Sequence, residues 1–184
     1  MKNDIKKARK SAKENVKGIK KEIPPQLAIK EAEFFDHFKK SFITPIANLQ
    51  ILYEFMDELN GFISKYTPCQ KGCDHCCHIP ISISSLEAEY IYLRTGIPYQ
   101  DKPISAVKIN TPCPFLKDHC CSIYQYRPYM CRQHHALFDP KWYQVELCND
   151  IYSSQARFSE VKDSYDYLVK SNNAVIRDIR EFFA

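Results

Sequence analysis

The chain has 184 residues, of which 45% are apolar and 26% charged, a composition suited to one packed domain and too apolar for wholesale disorder. No uninterrupted apolar run approaches the ~18 residues of a membrane span, and the Lys-rich beginning has no apolar stretch behind it to read as an export leader, so a cytoplasmic protein is expected. Four glycines argue against a Gly-rich phosphate loop, whereas nine cysteines stand well above ordinary usage.

The formal net charge of +4 is unevenly placed. Residues 1–23 carry nine basic side chains against Asp4, Glu14 and Glu22, so the remainder is mildly acidic. In this basic stretch Ile5, Ala8, Ala12, Val16, Ile19 and Ile23 recur at steps of three and four, which predicts an amphipathic helix with one narrow apolar stripe. Pro24-Pro25 ends it. Such a helix suits an anionic surface or, more simply, a stripe laid on the domain. No aromatic residue interleaves with the lysines, which argues against nucleic acid as a partner. The expected organisation is a basic helical arm over 1–25 and a single α-rich domain over 26–184.

Ala28, Ala32, Phe35, Phe38 and Phe42 predict a second helix, and Pro45 opens a third bearing Ile46, Leu49, Leu52, Met56, Leu59 and Ile63. Ile79, Ile81 and Ile83 alternate as in a short extended piece, and Ser84 with Glu87 makes a capping box for a helix ending near Gly96. Pro98, Pro103, Pro112, Pro114 and Pro128 deny long regular elements beyond it, so this irregular middle needs some other anchor. Phe158, Val161, Tyr165, Leu168, Asn172, Val175, Ile179 and Phe182 predict one continuous C-terminal helix. The fold class expected is mainly α, with a cysteine- and Pro-rich central segment, 69–148, organised by metal.

The chemistry lies in that segment. Cys69, Cys73, Cys76 and Cys77 fall within nine positions, and Cys113, Cys120, Cys121, Cys131 and Cys148 follow. Thiolates two or three residues apart in a tight loop converge on one soft ion, zinc or iron rather than magnesium or calcium. The odd count and the missing leader argue against a disulfide framework, and four thiols in nine positions are too dense for ordinary buried cysteines. Cys76 and Cys77 are expected to diverge if their segment is extended, serving two centres or dividing between ligand and packing. Four thiolates around Zn²⁺ leave a net charge of −2, and Lys71, Arg127 and Arg132 are placed in sequence to offset it. His75, His78, His119, His134 and His135 read as hydrogen-bonding neighbours rather than ligands. No HExxH, GxSxG, Walker or GxGxxG pattern is present. Cys131 with His134 lacks a third orienting group, so no catalytic residue is assigned.

The run C-x3-C-x2-C-C at 69–77, C-P-F-L at 113–116 and C-x-I-Y-x-x-R-P-x-x-C-R at 121–132 resemble the signature of the YkgJ-like cysteine-cluster family of CxxCxxCC type, whose members are described as zinc- or iron-chelating. The resemblance implies Cys69, Cys73, Cys76, Cys77, Cys113, Cys121, Cys131 and Cys148 as metal ligands and leaves Cys120 as the odd thiol. It implies a zinc- or iron-chelating protein; an all-cysteine closed site makes zinc the preferred expectation over iron or a [4Fe–4S] cluster, and a protein partner is compatible with this reading. A related motif occurs in flagellin lysine methylases, and C-x3-C-x2-C is similar to the cluster loop of radical S-adenosylmethionine enzymes. The alternative implied is an iron–sulfur-dependent enzyme, such as a lysine methyltransferase using S-adenosylmethionine. The short chain and its few glycines weigh against that alternative.

Overall fold

The computed structural model describes residues 2–67, 69, 72, 74–100, 111–137 and 158–183. The architecture is mainly α. Helix α1 (Lys2–Glu22) is followed by α2 (Pro25–Lys39) and α3 (Pro45–Ile63). Strand β1 (Ser82–Ser84) leads directly into α4 (Ser85–Thr95). A small hairpin of β2 (Leu116–Lys117) and β3 (Cys120–Cys121) precedes the short α5 (Tyr129–Gln133). The chain closes with α6 (Ser159–Ser171), β4 (Ile176–Asp178) and α7 (Ile179–Phe182).

The helix starts follow from local chemistry. Pro45 occupies the first turn of α3, and the Thr44 hydroxyl accepts from the Ala47 amide at 3.3 Å. Ser84 and Glu87 form the expected capping box, and α4 ends at Gly96 with φ of 71°, a left-handed conformation suited to glycine. Helix α6 has no side-chain cap of its own. Glu31, reaching across from α2, accepts from the Glu160 amide at 3.0 Å and fills that place.

Three apolar clusters result. The first joins Phe34 and Phe38 of α2, the Leu49–Leu59 face of α3, Leu86 and Tyr90 of α4, Tyr129 of α5 and Val161, Tyr165 and Leu168 of α6. The second gathers Ile79, Ile81, Ile83, Ala88 and Ile91 with Phe115, Ile123, Ile179, Phe182 and Phe183. The third lays Ala8, Ala12 and Ile19 of α1 on Ile63, Ala136 and Leu137. The basic helix therefore uses its stripe against the body, and Asn15 fastens it by donating to the carbonyls of Tyr66 and Leu137, both at 2.8 Å.

Two expectations change. On α2 the buried stripe is Phe34 and Phe38 rather than one running to Phe42, because the helix ends at Lys39 and Phe42 lies fully exposed in the turn before Thr44. Phe34 stacks on Phe55 with centroids 4.4 Å apart, which fixes the register. The continuous C-terminal helix is also broken. Asn173 takes φ of 49°, and the Asn172 side-chain NH2 donates to the Leu168 carbonyl at 2.8 Å, closing α6. Residues 176–178 then pair antiparallel with β1, Ser82 opposite Asp178 and Ser84 opposite Ile176. Asp178 and Glu181 form a second capping box that starts α7.

Candidate metal centre

The first cysteine group does not run extended. Residues His75–His78 make a 3₁₀ turn, closed by the Cys77 amide donating to the Asp74 carbonyl at 2.8 Å. The divergence expected of an extended segment therefore does not apply to Cys76 and Cys77. The turn aims both thiols into one cavity, and the Cys77 thiol hydrogen-bonds to the Cys76 sulfur.

The second group is brought alongside by backbone pairing. The Cys113 amide donates to the Cys77 carbonyl at 2.7 Å. Leu116 then pairs with Cys121 and Lys117 with Cys120 across a turn in which Asp118 and His119 both have positive φ, the twist that a two-residue hairpin requires. His119 Nδ1 lies 2.7 Å from Asp74 Oδ2, tying the hairpin tip to the 3₁₀ turn. That bond and a contact from His78 hold the Asp74 carboxyl below its ordinary range.

Cys131 arrives on α5, whose placement depends on a buried carboxylate. Glu87, 1% exposed, accepts at Oε1 from the Tyr53 hydroxyl (2.8 Å) and the Tyr129 amide (2.7 Å). Its Oε2 accepts from the Ser84 amide (2.7 Å), the Ser84 hydroxyl (2.9 Å) and the Tyr165 hydroxyl (2.6 Å). Five donors satisfy one desolvated charge. Because Tyr129 opens α5, the carboxylate also caps that helix.

Two arginines position the walls. Arg180, 6% exposed, donates to the Thr111 carbonyl at 2.8 Å and the Ile79 carbonyl at 3.2 Å while pairing with Asp178. It thereby staples the approaches to both cysteine groups. Arg132 faces away from the thiols. It pairs with Asp57, donates to the carbonyls of Arg127 and Gln125, and lies 4.4 Å from the Tyr53 ring centroid. Of the cations expected beside the cysteines, Arg127 lines the cavity, Arg132 does not, and Lys71 lies outside the described residues.

The cavity has a volume of about 400 Å³. Cys76, Cys77, Cys113, Cys120, Cys121 and Cys131 line it, with Ile81, Phe115, Ile123 and Ile179 as apolar wall. Each of these six cysteines is a free thiol. Burial pushes Cys113 up to about 11 and raises Cys121 and Cys131 as well. Cys76 moves the other way, to about 7, because the Cys77 thiol donates to it and Arg127 adds positive charge. The arrangement supplies soft donors that must shed protons to ligate an ion.

Of the eight residues expected as ligands, five line this cavity. Cys69 packs against the third cluster, while Cys73 and Cys148 lie outside the described residues. Cys120, set aside by the sequence pattern, shares the cavity. The signal that could have found it is the two-residue hairpin turn at Asp118-His119, which returns the chain to the same wall. Among the described residues no three His, Cys, Asp or Glu groups already stand close enough to hold an ion, so the thiols line a wall rather than a finished coordination sphere.

A mainly α chain whose irregular centre gathers thiols around one cavity is a cysteine-cluster protein. The chain belongs to the CxxCxxCC family, described as "putative zinc- or iron-chelating domain", whose model matches residues 68–162. Comparison with curated proteins and with solved structures returned no match.

Proposed function

We propose that this protein binds zinc through the thiolates around the central cavity. The observation that carries the reading is the convergence of six free thiols, from three separate stretches of chain, on one apolar-walled cavity. The ligands proposed are Cys76, Cys77, Cys113, Cys121 and Cys131, which both line the cavity and belong to the family pattern, with Cys69, Cys73 and Cys148 added by that pattern alone. The donor chemistry fits the group: thiolates are the preferred ligands of structural zinc and of iron–sulfur clusters, and no carboxylate is among the described residues lining the cavity, where magnesium or calcium would need an oxygen cage. A bound ion would cross-link the 3₁₀ turn, the hairpin and α5, replacing apolar core in the Pro-rich middle. The basic arm over 1–25 and the α-rich body over 26–184 act in this reading as one scaffold, joined by the third cluster.

The cavity volume supports a second reading. A single tetrahedral ion leaves no void among its four sulfurs, whereas about 400 Å³ accommodates a polynuclear iron–sulfur centre. One measurement separates the two. Protein purified without oxygen is analysed for metal and scanned through the visible range: stoichiometric zinc in a colourless sample supports the first reading, and iron with broad visible absorbance replaces it with the second. Protein that carries neither metal and takes up neither from solution refutes both. Cys113→Ser is expected to lower the metal bound per chain while leaving the helical circular dichroism in place.

A further inference from the structure

Arg127 lines the cavity with one of its donors unmet. Its Nε is buried and makes no hydrogen bond among the described residues, and its guanidinium rests on the Tyr124 ring at 4.1 Å from the centroid. An unmet buried N–H is unfavourable, so a donor left in this state points to an acceptor that arrives with a ligand. The backbone around it is held by other means, since Arg132 grips the carbonyls of Arg127 and Gln125. Arg127 is also the one cation among the described lining residues, and the thiols beside it come from the 3₁₀ turn, the hairpin and α5. Thiol sulfur is a weak acceptor, but metal-bound thiolate carries charge and accepts N–H donors well.

We propose that Arg127 is a positioning residue of the metal centre, donating its buried Nε–H to a metal-bound thiolate and offsetting the centre's negative charge. The inference rests on the metal-binding reading above. It assigns separate tasks to the two arginines of R-P-x-x-C-R: Arg132 builds the loop, and Arg127 faces the ligands. The stack on Tyr124 holds the guanidinium in place when no ion is bound, which keeps the donor ready for the charged state.

The test uses the full chain, stripped of metal under reducing, oxygen-free conditions and titrated with Co²⁺ against a competing chelator. Arg127→Gln is expected to bind the same number of Co²⁺ ions at least tenfold more weakly, the usual cost of removing a partner of a metal ligand. Its thiolate-to-cobalt absorption is expected at lower energy, because a sulfur that loses a hydrogen bond gives up charge more readily. Arg127→Lys keeps the charge and should fall between. If Arg127→Gln loses helical circular dichroism, Arg127→Met, which keeps an apolar stem on Tyr124, replaces it. Wild-type affinity together with wild-type band positions in the variant overturns the proposal while leaving the metal-binding reading intact. A wild-type chain that takes up neither Co²⁺ nor Zn²⁺ defeats the metal-binding reading itself, and this inference falls with it.

Discussion

Glu87→Gln is the sharpest test of how the central segment is held. The substitution keeps shape and replaces one carboxylate oxygen with an amide NH2, yet every group around Glu87 is a donor. Placed at the Oε1 position, the new NH2 meets the Tyr129 amide; placed at the Oε2 position, it meets the Ser84 amide. The hydroxyls of Tyr53, Tyr165 and Ser84 can rotate to accept, but a backbone N–H cannot. One buried amide is therefore left unsatisfied in either orientation, at about 1–3 kcal/mol, and the remaining bonds lose their charge assistance. We expect a loss of about 2–3 kcal/mol in urea unfolding followed by circular dichroism, and about 4–12 °C in Tm for a domain of this size. Tyr53→Phe, which removes one rotatable donor and leaves the carboxylate otherwise bonded, should cost only about 1 kcal/mol. A Gln variant within 0.5 kcal/mol of wild type would refute the account of Glu87 as an anion held by five donors. Because Glu87 caps α5 by accepting from the Tyr129 amide, the same variant should also weaken metal uptake through Cys131.

Acid should weaken the fold through His135. Burial, with Arg127 and His134 nearby, holds it down at about 4 against an ordinary 6.5. The unfolded chain therefore takes up this proton first, so the contribution is complete above pH 6.5 and is lost as pH falls toward 4, by about 3 kcal/mol at most. His135→Gln should flatten the stability profile across that window, and a slope unchanged from wild type would refute the assignment. Arg180→Met should cost about 3–5 kcal/mol, since the Asp178 carboxylate and the buried Ile79 carbonyl lose the guanidinium and the bond to the Thr111 carbonyl is lost as well; unfolding within 1 kcal/mol of wild type would show that the staple at Thr111 and Ile79 is dispensable. Glu31→Ala should cost about 1 kcal/mol by uncapping α6, a loss visible as faster amide exchange in its first turn, and unchanged exchange would assign that cap elsewhere.

The legible parts of the fold were those written in local chemistry. Pro45 after Thr44, Ser84 with Glu87, and Gly96 each act on the backbone within a few residues, so their helix boundaries could be read from the chain alone. The α2 stripe was misplaced because Phe34 and Phe35 are equivalent in a helical pattern. Only the partner decides between them, and Phe55 takes Phe34 while Tyr167 takes Phe35 by its edge. The C-terminal seam failed for a related reason. Its apolar spacing is helical throughout, but Val175-Ile176 is β-branched, follows Asn172-Asn173, and finds an open edge at Ser82–Ser84. Pairing across some ninety residues outweighed the local period.

The site divides along the same line. Thiol spacing in sequence points to a shared soft ion; in the structure Cys76, Cys77, Cys113, Cys120, Cys121 and Cys131 line one cavity, while Cys69 packs against the third cluster. What spacing does not encode is direction. Arg127 and Arg132 flank one motif at equal chemical value, yet α5 turns Arg132 into the core beside Tyr53 and leaves Arg127 on the thiol side. Direction here is set by Glu87, since its bond to the Tyr129 amide fixes where α5 begins and hence which face carries Cys131. Glu87 read as a capping residue for its own helix is correct and incomplete. The same carboxylate holds Tyr53, Tyr129 and Tyr165 from three other helices, and through Tyr129 it sets the orientation of the cavity wall.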